Sequence, residues 1–238
     1  MSQIIVVPRL AATLILLQDT TQGLEVMLVE RSGKASFAAG KFVFPGGAVD
    51  AGDTFLDNSG LSDGALRVAA IRETYEECGL LLADIHGQFP DPTADFFSIV
   101  KNSQIHLQTQ TLVPFAHWIT PPQSPKRFDT HFFIAAAPAG QLPVADRKEV
   151  MSAVWSNPIS VVEQAESEEI NLMFATYMTL RWLTAFTSAD QALFAARQRQ
   201  IVTVIAESSD SSEGRILKIP AAAGFGETEV LEKRFRRT

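Results

Sequence analysis

Arg72-Glu73-Thr74-Tyr75-Glu76-Glu77-Cys78-Gly79-Leu80 crowds three glutamates into nine residues, against ordinary helix rules. At ~100° per residue, Val68, Ile71, Tyr75, Cys78 and Leu82 line one apolar stripe, and Glu73, Glu76 and Glu77 centre on the opposite side. The stripe is the expected core face. Carboxylates three and four residues apart repel one another by a few tenths of a kcal/mol per pair. Glu76 and Glu77 also lie within a turn of the helix end that Gly79 marks, where the macrodipole prefers cations. Local rules broken together point to function. A hard cation such as Mg²⁺ relieves the repulsion, because it takes oxygen ligands and binds through a few carboxylates. On these nine residues alone, a solvated acidic face is the competing reading.

Upstream, Phe42-Val43-Phe44 reads as a short buried strand, ended by a Pro45-Gly46-Gly47 turn that lets backbone approach a ligand closely. The order is strand, Gly-Gly loop, acidic loop and acidic helix. At this point the chain resembles the Nudix hydrolases, whose box reads G-x5-E-x7-R-E-U-x-E-E-x-G-U, with U a bulky apolar residue. Here Gly47 is followed by five residues, Asp53, eighteen residues and then Arg72 to Leu80. Asp53 thus replaces the first glutamate, Thr74 stands at an apolar position, and the spacer is eleven residues longer than in the box (18 − 7). The added stretch, about Thr54 to Gly64, reads as a surface excursion before a helix that starts near Ser62 or Asp63. It is a candidate wall of the substrate site or contact between two copies in a homodimer.

Further matches to the coenzyme A diphosphatase-like branch run through Arg9–Leu17, Leu24–Glu30, Ser36–Asp50, Lys126–Ala135 and Asp146–Pro158. The resemblance implies an α+β fold with a mixed sheet packed between helices. It places a Nudix domain over residues 1–160, with 161–238 a C-terminal helical extension, bearing a terminal hairpin, packed on it. It further implies metal-dependent hydrolysis of the pyrophosphate of a nucleoside diphosphate linked to another group. Coenzyme A or an acyl-coenzyme A ranks first, ADP-ribose or NADH second, and a Nudix-fold binding module without turnover is the alternative of another class. Mg²⁺ or Mn²⁺ is the expected cofactor, with Glu73, Glu76, Glu77 and Gly46 at the metal. Arg72 and Glu76 serve catalysis, Arg72 by orienting a carboxylate. Glu149 is the leading base, because Glu149-x5-Trp155 resembles a loop glutamate ahead of a strand tryptophan in some members. Arg31 and Arg127, with Phe44, Gly47 and Asp53, make the substrate side; Asp53 could also act through water or orient Arg72.

The 238 residues, 46% of them hydrophobic, support one sizeable core. A net charge of −7 without a long Lys/Arg run disfavours nucleic acid, and Arg234-Phe235-Arg236-Arg237 reads as an exposed tail. The single cysteine, Cys78, fits a reducing, cytoplasmic setting and a buried structural thiol. The opening lacks a basic n-region, so no signal peptide is expected. No apolar run reaches the ~18 residues of a membrane span. His86, His106, His117 and His131 are scattered without metal-ligand spacing.

Leu10–Leu17 and Leu24–Glu30 read as a hairpin. Leu112–Ile119, Phe128–Ala136 and Val150–Trp155 are strand candidates, and a short helix lies within Pro90–Lys101. Ile159–Phe186 has the helical period, with Met173, Tyr177 and Trp182 as packing residues, and Ala189–Gln200 continues as helix. Ile201–Ala206 and Arg215–Ile219 would form the terminal hairpin across the polar stretch Glu207–Gly214.

Overall fold

Twelve residues, Arg9–Thr20, form the strand on which the molecule is organised. Leu14, Ile15, Leu16 and Leu17 are all fully buried, each worth roughly 1.5–3 kcal/mol of burial. A run apolar on both pleat faces demands cover on both sides. The structure, a computed structural model, describes residues 6–33, 38–57, 60–86, 89–91, 94–101 and 105–236.

After this strand, β1, come β2 (Gly23–Arg31), β3 (Phe42–Val43) and β4 (Gly46–Ala48). Two helices follow, α1 (Ala51–Leu56) and α2 (Gly64–Cys78), then β5 (Ala83–Ile85), α3 (Phe96–Val100), β6 (Ile105–Leu107), β7 (Val113–Ile119), β8 (Phe128–Ala136) and β9 (Val150–Ser156). The chain continues through α4 (Pro158–Glu166), α5 (Phe174–Leu183), α6 (Ala189–Arg197), β10 (Thr203–Val204), β11 (Glu207–Ser211), β12 (Gly214–Lys218) and β13 (Glu229–Leu231).

The main sheet runs β10-β7-β8-β1-β2-β3, with β4 also on β1 and β9 on β2. It is mixed: β1 lies parallel to β8 and antiparallel to β2 and β4. The two halves of β1 take different partners: Ala11–Thr13 pair with Gly46–Ala48 while Leu17–Thr20 pair with Gly23–Val26. One sheet face packs Leu14, Leu16, Val29 and Phe133 against α2. The other packs Ile15, Leu17, Leu28 and Ile134 against α4, α5 and α6. This is the expected α+β architecture.

Several expectations need correction. Gly46 and Gly47 are not a turn but the strand β4, whose partner is β1. The supposed excursion after Asp53 begins as helix, since α1 runs through Thr54 to Leu56; residues 58 and 59 lie outside the described set. The 159–186 helix is two helices, interrupted where Glu168 takes a positive φ of 62°. In the terminal hairpin the polar stretch itself is a strand: β11 pairs with β12 from Glu207↔Lys218 to Ser211↔Gly214. Hydrophobic periodicity cannot find such a strand, because all five β11 residues are exposed.

Nor is the basic C-terminus a tail as far as it is described; Arg237 lies outside the described residues. Phe235 is buried, stacking on Phe174 with centroids 5.3 Å apart, and its N–H and C=O are both engaged. Arg234 donates to Glu227 and to Glu166, each at 2.6 Å, and Glu166 also accepts from the Tyr177 hydroxyl at 2.5 Å. Burial alone would raise the Glu166 pKa, but the bonds from Tyr177 and Arg234 outweigh it and hold the group below its ordinary 4.5. That stabilisation is fully present above the ordinary value and is lost as pH falls through the depressed folded one. Glu166→Ala is therefore expected to lower unfolding free energy by about 1–2 kcal/mol near neutrality. Denaturant titrations at stepped pH should show wild type and variant converging in acid; a pH-independent gap would refute the assignment.

Candidate active site

Three of the elements above meet at one place because α2 is buried almost all round. Eleven of its fifteen residues are buried, the apolar stripe among them. Gly79 ends the helix in the left-handed region at φ 70°, donating its N–H to Tyr75. Thr74, at the position where the Nudix box has an apolar residue, is fully buried and returns its hydroxyl to Ala70 C=O at 2.7 Å. The glutamates do not share one solvated face: Glu76 is exposed, Glu73 half-buried and Glu77 buried.

Arg72 organises them. Only 3% exposed, it donates Nε to Asp53 Oδ1 at 2.8 Å and Nη2 to Asp53 Oδ2 at 3.0 Å, while Nη1 reaches Glu73 and Glu76, both at 2.8 Å. Its Nη2 also donates to Ala48 C=O at 2.9 Å, tying the helix to β4. Asp53, fully buried, additionally accepts the Asp50 N–H in the capping box of α1. Asp53 was expected on the substrate side; instead it orients Arg72, the alternative its short side chain left open. Burial alone would loosen the proton of the guanidinium, but the bonds to Asp53 and the charges of Glu73 and Glu76 outweigh it and leave the group more firmly protonated than usual.

Glu77 points the other way. It accepts from the Gly46 N–H at 3.0 Å and from Arg31 Nη1 at 3.1 Å. Gly46 thus meets the site through its N–H. Burial, with repulsion from Glu73, pushes Glu77 up to about 8 despite Gly46 and Arg31. Burial pushes Glu73 up to about 7 against the pull of Arg72, and Glu76 is raised as well. Two guanidinium groups therefore undercompensate the carboxylates. An all-oxygen set with unmet demand for positive charge fits a hard divalent cation.

Opposite α2, the loop before β9 closes over the helix end: Val144 N–H donates to Cys78 C=O and Asp146 N–H to Glu77 C=O. The Asp146 carboxylate collects the N–H groups of Lys148, Glu149 and Val150, fixing the turn that carries Glu149. Sequence reasoning passed over Asp146, although an aspartate ahead of a strand is a turn signal. The Glu149 side chain is 69% exposed, with Oε2 3.6 Å from Arg31 Nη2. Arg31, Glu77, Gly46 and Glu149 thus come together at one place.

These groups line one cleft of about 1190 Å³, with Phe44 and Gly47 also on its wall. Arg127 is a correction: it spends Nε on Thr120 C=O and Nη1 on Val6 C=O, while its neighbours Lys126 and Phe128 line the cleft. Lys41, Arg215 and Arg236 also face the cleft; Arg236 belongs to the segment expected as an exposed tail, and neither Lys41 nor Arg215 was expected in the site.

A second cluster was missed. His117 and His131 are directly opposite on β7 and β8, and with Asp129 bring three ligand atoms within 4.8 Å of one another, a geometry compatible with a divalent cation. The signal, two strand histidines that share a register position, needs the pairing to be known.

The fold and the glutamate helix place the chain in the Nudix hydrolase family, and the NUDT19 Nudix domain matches residues 56–183, more than half of it. Within that family it is similar to the acyl-coenzyme A diphosphatase NUDT19 of Xenopus laevis, 26% identical over 219 residues, and of Homo sapiens, 24% identical over 233. These alignments cover 64% and 70% of this chain and 58% and 62% of the relatives, so the chain spans about three-fifths of their length. A crystal structure of a NUDIX hydrolase from Alicyclobacillus acidocaldarius superposes with a TM-score of 0.69 at 27% identity, over 79% of this chain and 96% of that one.

Close approach dictates the two glycines. A Cβ on Gly47 would lie 2.5 Å from the Glu73 carboxylate, whereas one on Gly46 would lie 2.5 Å from Ala12 C=O and 2.7 Å from Thr13 Cα. A flexible carboxylate yields and backbone does not. Gly47→Ala is expected to fold normally but bind Mn²⁺ about 10- to 100-fold more weakly by calorimetry, while Gly46→Ala loses about 1–3 kcal/mol of stability. Asp53→Ala should cost about 3 kcal/mol in denaturant unfolding by leaving Arg72 short of its buried partner. A loss under about 0.5 kcal/mol would mean the pair is dispensable.

Proposed function

We propose that this chain hydrolyses the pyrophosphate bond of a nucleoside diphosphate linked to another moiety, with coenzyme A or an acyl-coenzyme A as the preferred class. The observation that carries the reading is the carboxylate set of α2, turned into the cleft beside the Gly46–Gly47 strand and held by Arg72 and Arg31. Glu73, Glu76 and Glu77 would hold a Mg²⁺ or Mn²⁺ ion. When bound, such an ion neutralises developing charge on phosphate oxygens and acidifies water.

The remaining work belongs to the chain itself. Arg72 fixes the rotamers of Glu73 and Glu76, so that the site is organised before substrate arrives. Arg31, already between Glu77 and Glu149, offers its fork to a phosphate and releases Glu149 to accept a proton from the attacking water. The phosphoanhydride P–O bond breaks and each product leaves with a terminal phosphate. Two features favour the coenzyme A class. Lys41, Lys126, Arg215 and Arg236 ring a cleft far larger than a diphosphate, suiting a substrate with a further anionic group. Phe44, Trp118 and Phe174 offer apolar wall to an extended tail. The names carried by the relatives agree with that choice.

Coenzyme A, an acyl-coenzyme A, ADP-ribose and NADH should be assayed with Mg²⁺ and Mn²⁺, identifying products. Coenzyme A compounds are expected to give the highest kcat/KM, EDTA to abolish turnover, and Glu77→Gln to lower kcat/KM by at least about 10²-fold, or roughly 2.7 kcal/mol. Preference for ADP-ribose or NADH would move the substrate class. Tight binding without turnover on any compound would leave a ligand-binding module.

A further inference from the structure

The sheet face on which Phe133 meets α2 also carries, along β7 and β8, a site that the hydrolytic reading does not use. Along β8, Phe128, Thr130 and Phe132 line the cleft, so Asp129 and His131 project from the opposite face. His117 sits beside them across the β7–β8 pair. Its Nε2 lies 2.5 Å from Asp129 Oδ1, and His131 Nε2 lies 3.7 Å from the same oxygen. The rings stack, with centroids 4.2 Å apart and planes 21° apart. The other nitrogen of His117, Nδ1, is 2.8 Å from Thr203 Oγ1 on β10, the strand that extends the sheet beyond β7.

We infer that His117, Asp129 and His131 form a second cation site, chemically distinct from the glutamate site, that takes a transition metal of the Zn²⁺ class and clips β10 onto the sheet. Two imidazoles and a carboxylate suit Zn²⁺, Co²⁺ or Ni²⁺, whereas Mg²⁺ prefers oxygen donors and gives up water reluctantly. Zinc bonds of about 2.0–2.2 Å place donor atoms roughly 3.3–3.5 Å apart in a tetrahedron. The three donors, already within 4.8 Å of one another, reach that spacing with small movements. Their rings cannot both aim at one ion while stacked, so His131 must turn about χ2. Its side chain, 34% exposed, has room to do so.

A second feature distinguishes this cluster from a chance meeting of polar groups. Metal-bound histidine normally donates its other ring N–H to a neighbouring oxygen, which sets tautomer and orientation. Thr203 Oγ1 already stands where that bond is needed. Ligation would complete the set with solvent, since Asp129 and His131 are both partly open.

The test uses the full chain stripped of metal with a chelator. Zn²⁺ is titrated by calorimetry and Co²⁺ by visible absorption, in wild type, His131→Ala, His131→Gln, Asp129→Asn, Thr203→Val and Glu77→Gln. One Zn²⁺ equivalent and a Co²⁺ ligand-field band are expected in wild type and, undiminished, in Glu77→Gln. Affinity should fall at least about 100-fold in the His131 and Asp129 variants and about 10-fold in Thr203→Val. A zinc-induced rise in Tm should disappear with it, while Mg²⁺-dependent hydrolysis by the His131 variants stays at the wild-type level. Unchanged isotherms in folded His131→Gln and Asp129→Asn, or a signal lost only in Glu77→Gln, would overturn the assignment and leave a hydrogen-bonded histidine stack.

Discussion

One buried guanidinium holds the active site together. Arg72 joins α1 through Asp53, α2 through Glu73 and Glu76, and β4 through Ala48 C=O. Lysine could not replace it, because only a planar fork with five donors reaches so many acceptors at once. A charge removed from water on this scale is costly unless it is saturated with partners. The carboxylate set follows from that requirement: Asp53 locks one edge of the guanidinium, leaving the other to splay Glu73 and Glu76 toward the cleft. Glu77, left out of this network, turns to Gly46 and Arg31 and joins the helix to the loop of Glu149.

Two sets of candidate ligands of different chemistry are kept apart in the fold. On the cleft side every candidate donor is oxygen, the carboxylates are raised by burial and crowding, and the surroundings suit a hard, hydrated cation. Outside the cleft, two imidazoles share one carboxylate. The alternation of β8 turns Thr130 and Phe132 toward the cleft, and Asp129 and His131 to the face on which Phe133 meets α2. A one-residue slip of β8 against β1 would exchange the two faces. The nine-residue parallel register from Arg9↔Phe128 to Leu17↔Ala136 guards against it.

Much of this is legible in the sequence. The apolar stripe of α2, its end at Gly79, the hairpin of β1 and β2 and the strands β7, β8 and β9 all carry strong local signals, and each lies where its residues indicated. What escaped shares a physical cause. Periodicity puts glutamates opposite the core stripe but cannot reveal that a second surface, β4 and Arg31, covers Glu77. Gly46-Gly47 reads as a turn in isolation, because the need for glycine comes from the close approach of Ala12 and Glu73, both distant in sequence. Arg127 and Arg236 exchanged expectations for the same reason. An arginine's role depends on which carbonyls lie within reach, and Val6, 121 residues away, captured Arg127.

The two walls of the cleft are built to different standards of permanence. On one side stands α2, buried on both flanks and stapled to the sheet. On the other, Arg215 and Leu217 project from β12, whose outer neighbour β11 has every residue in solvent and belongs to a separate three-stranded sheet. Local opening costs little where few apolar groups are buried and approaches the global unfolding energy where many are. Backbone amides of the carboxylate helix will therefore exchange their hydrogens only on near-complete unfolding, and those of the β11–β12 ribbon through small fluctuations. The cleft can thus widen to admit substituents of differing bulk while the distances among the α2 carboxylates stay fixed.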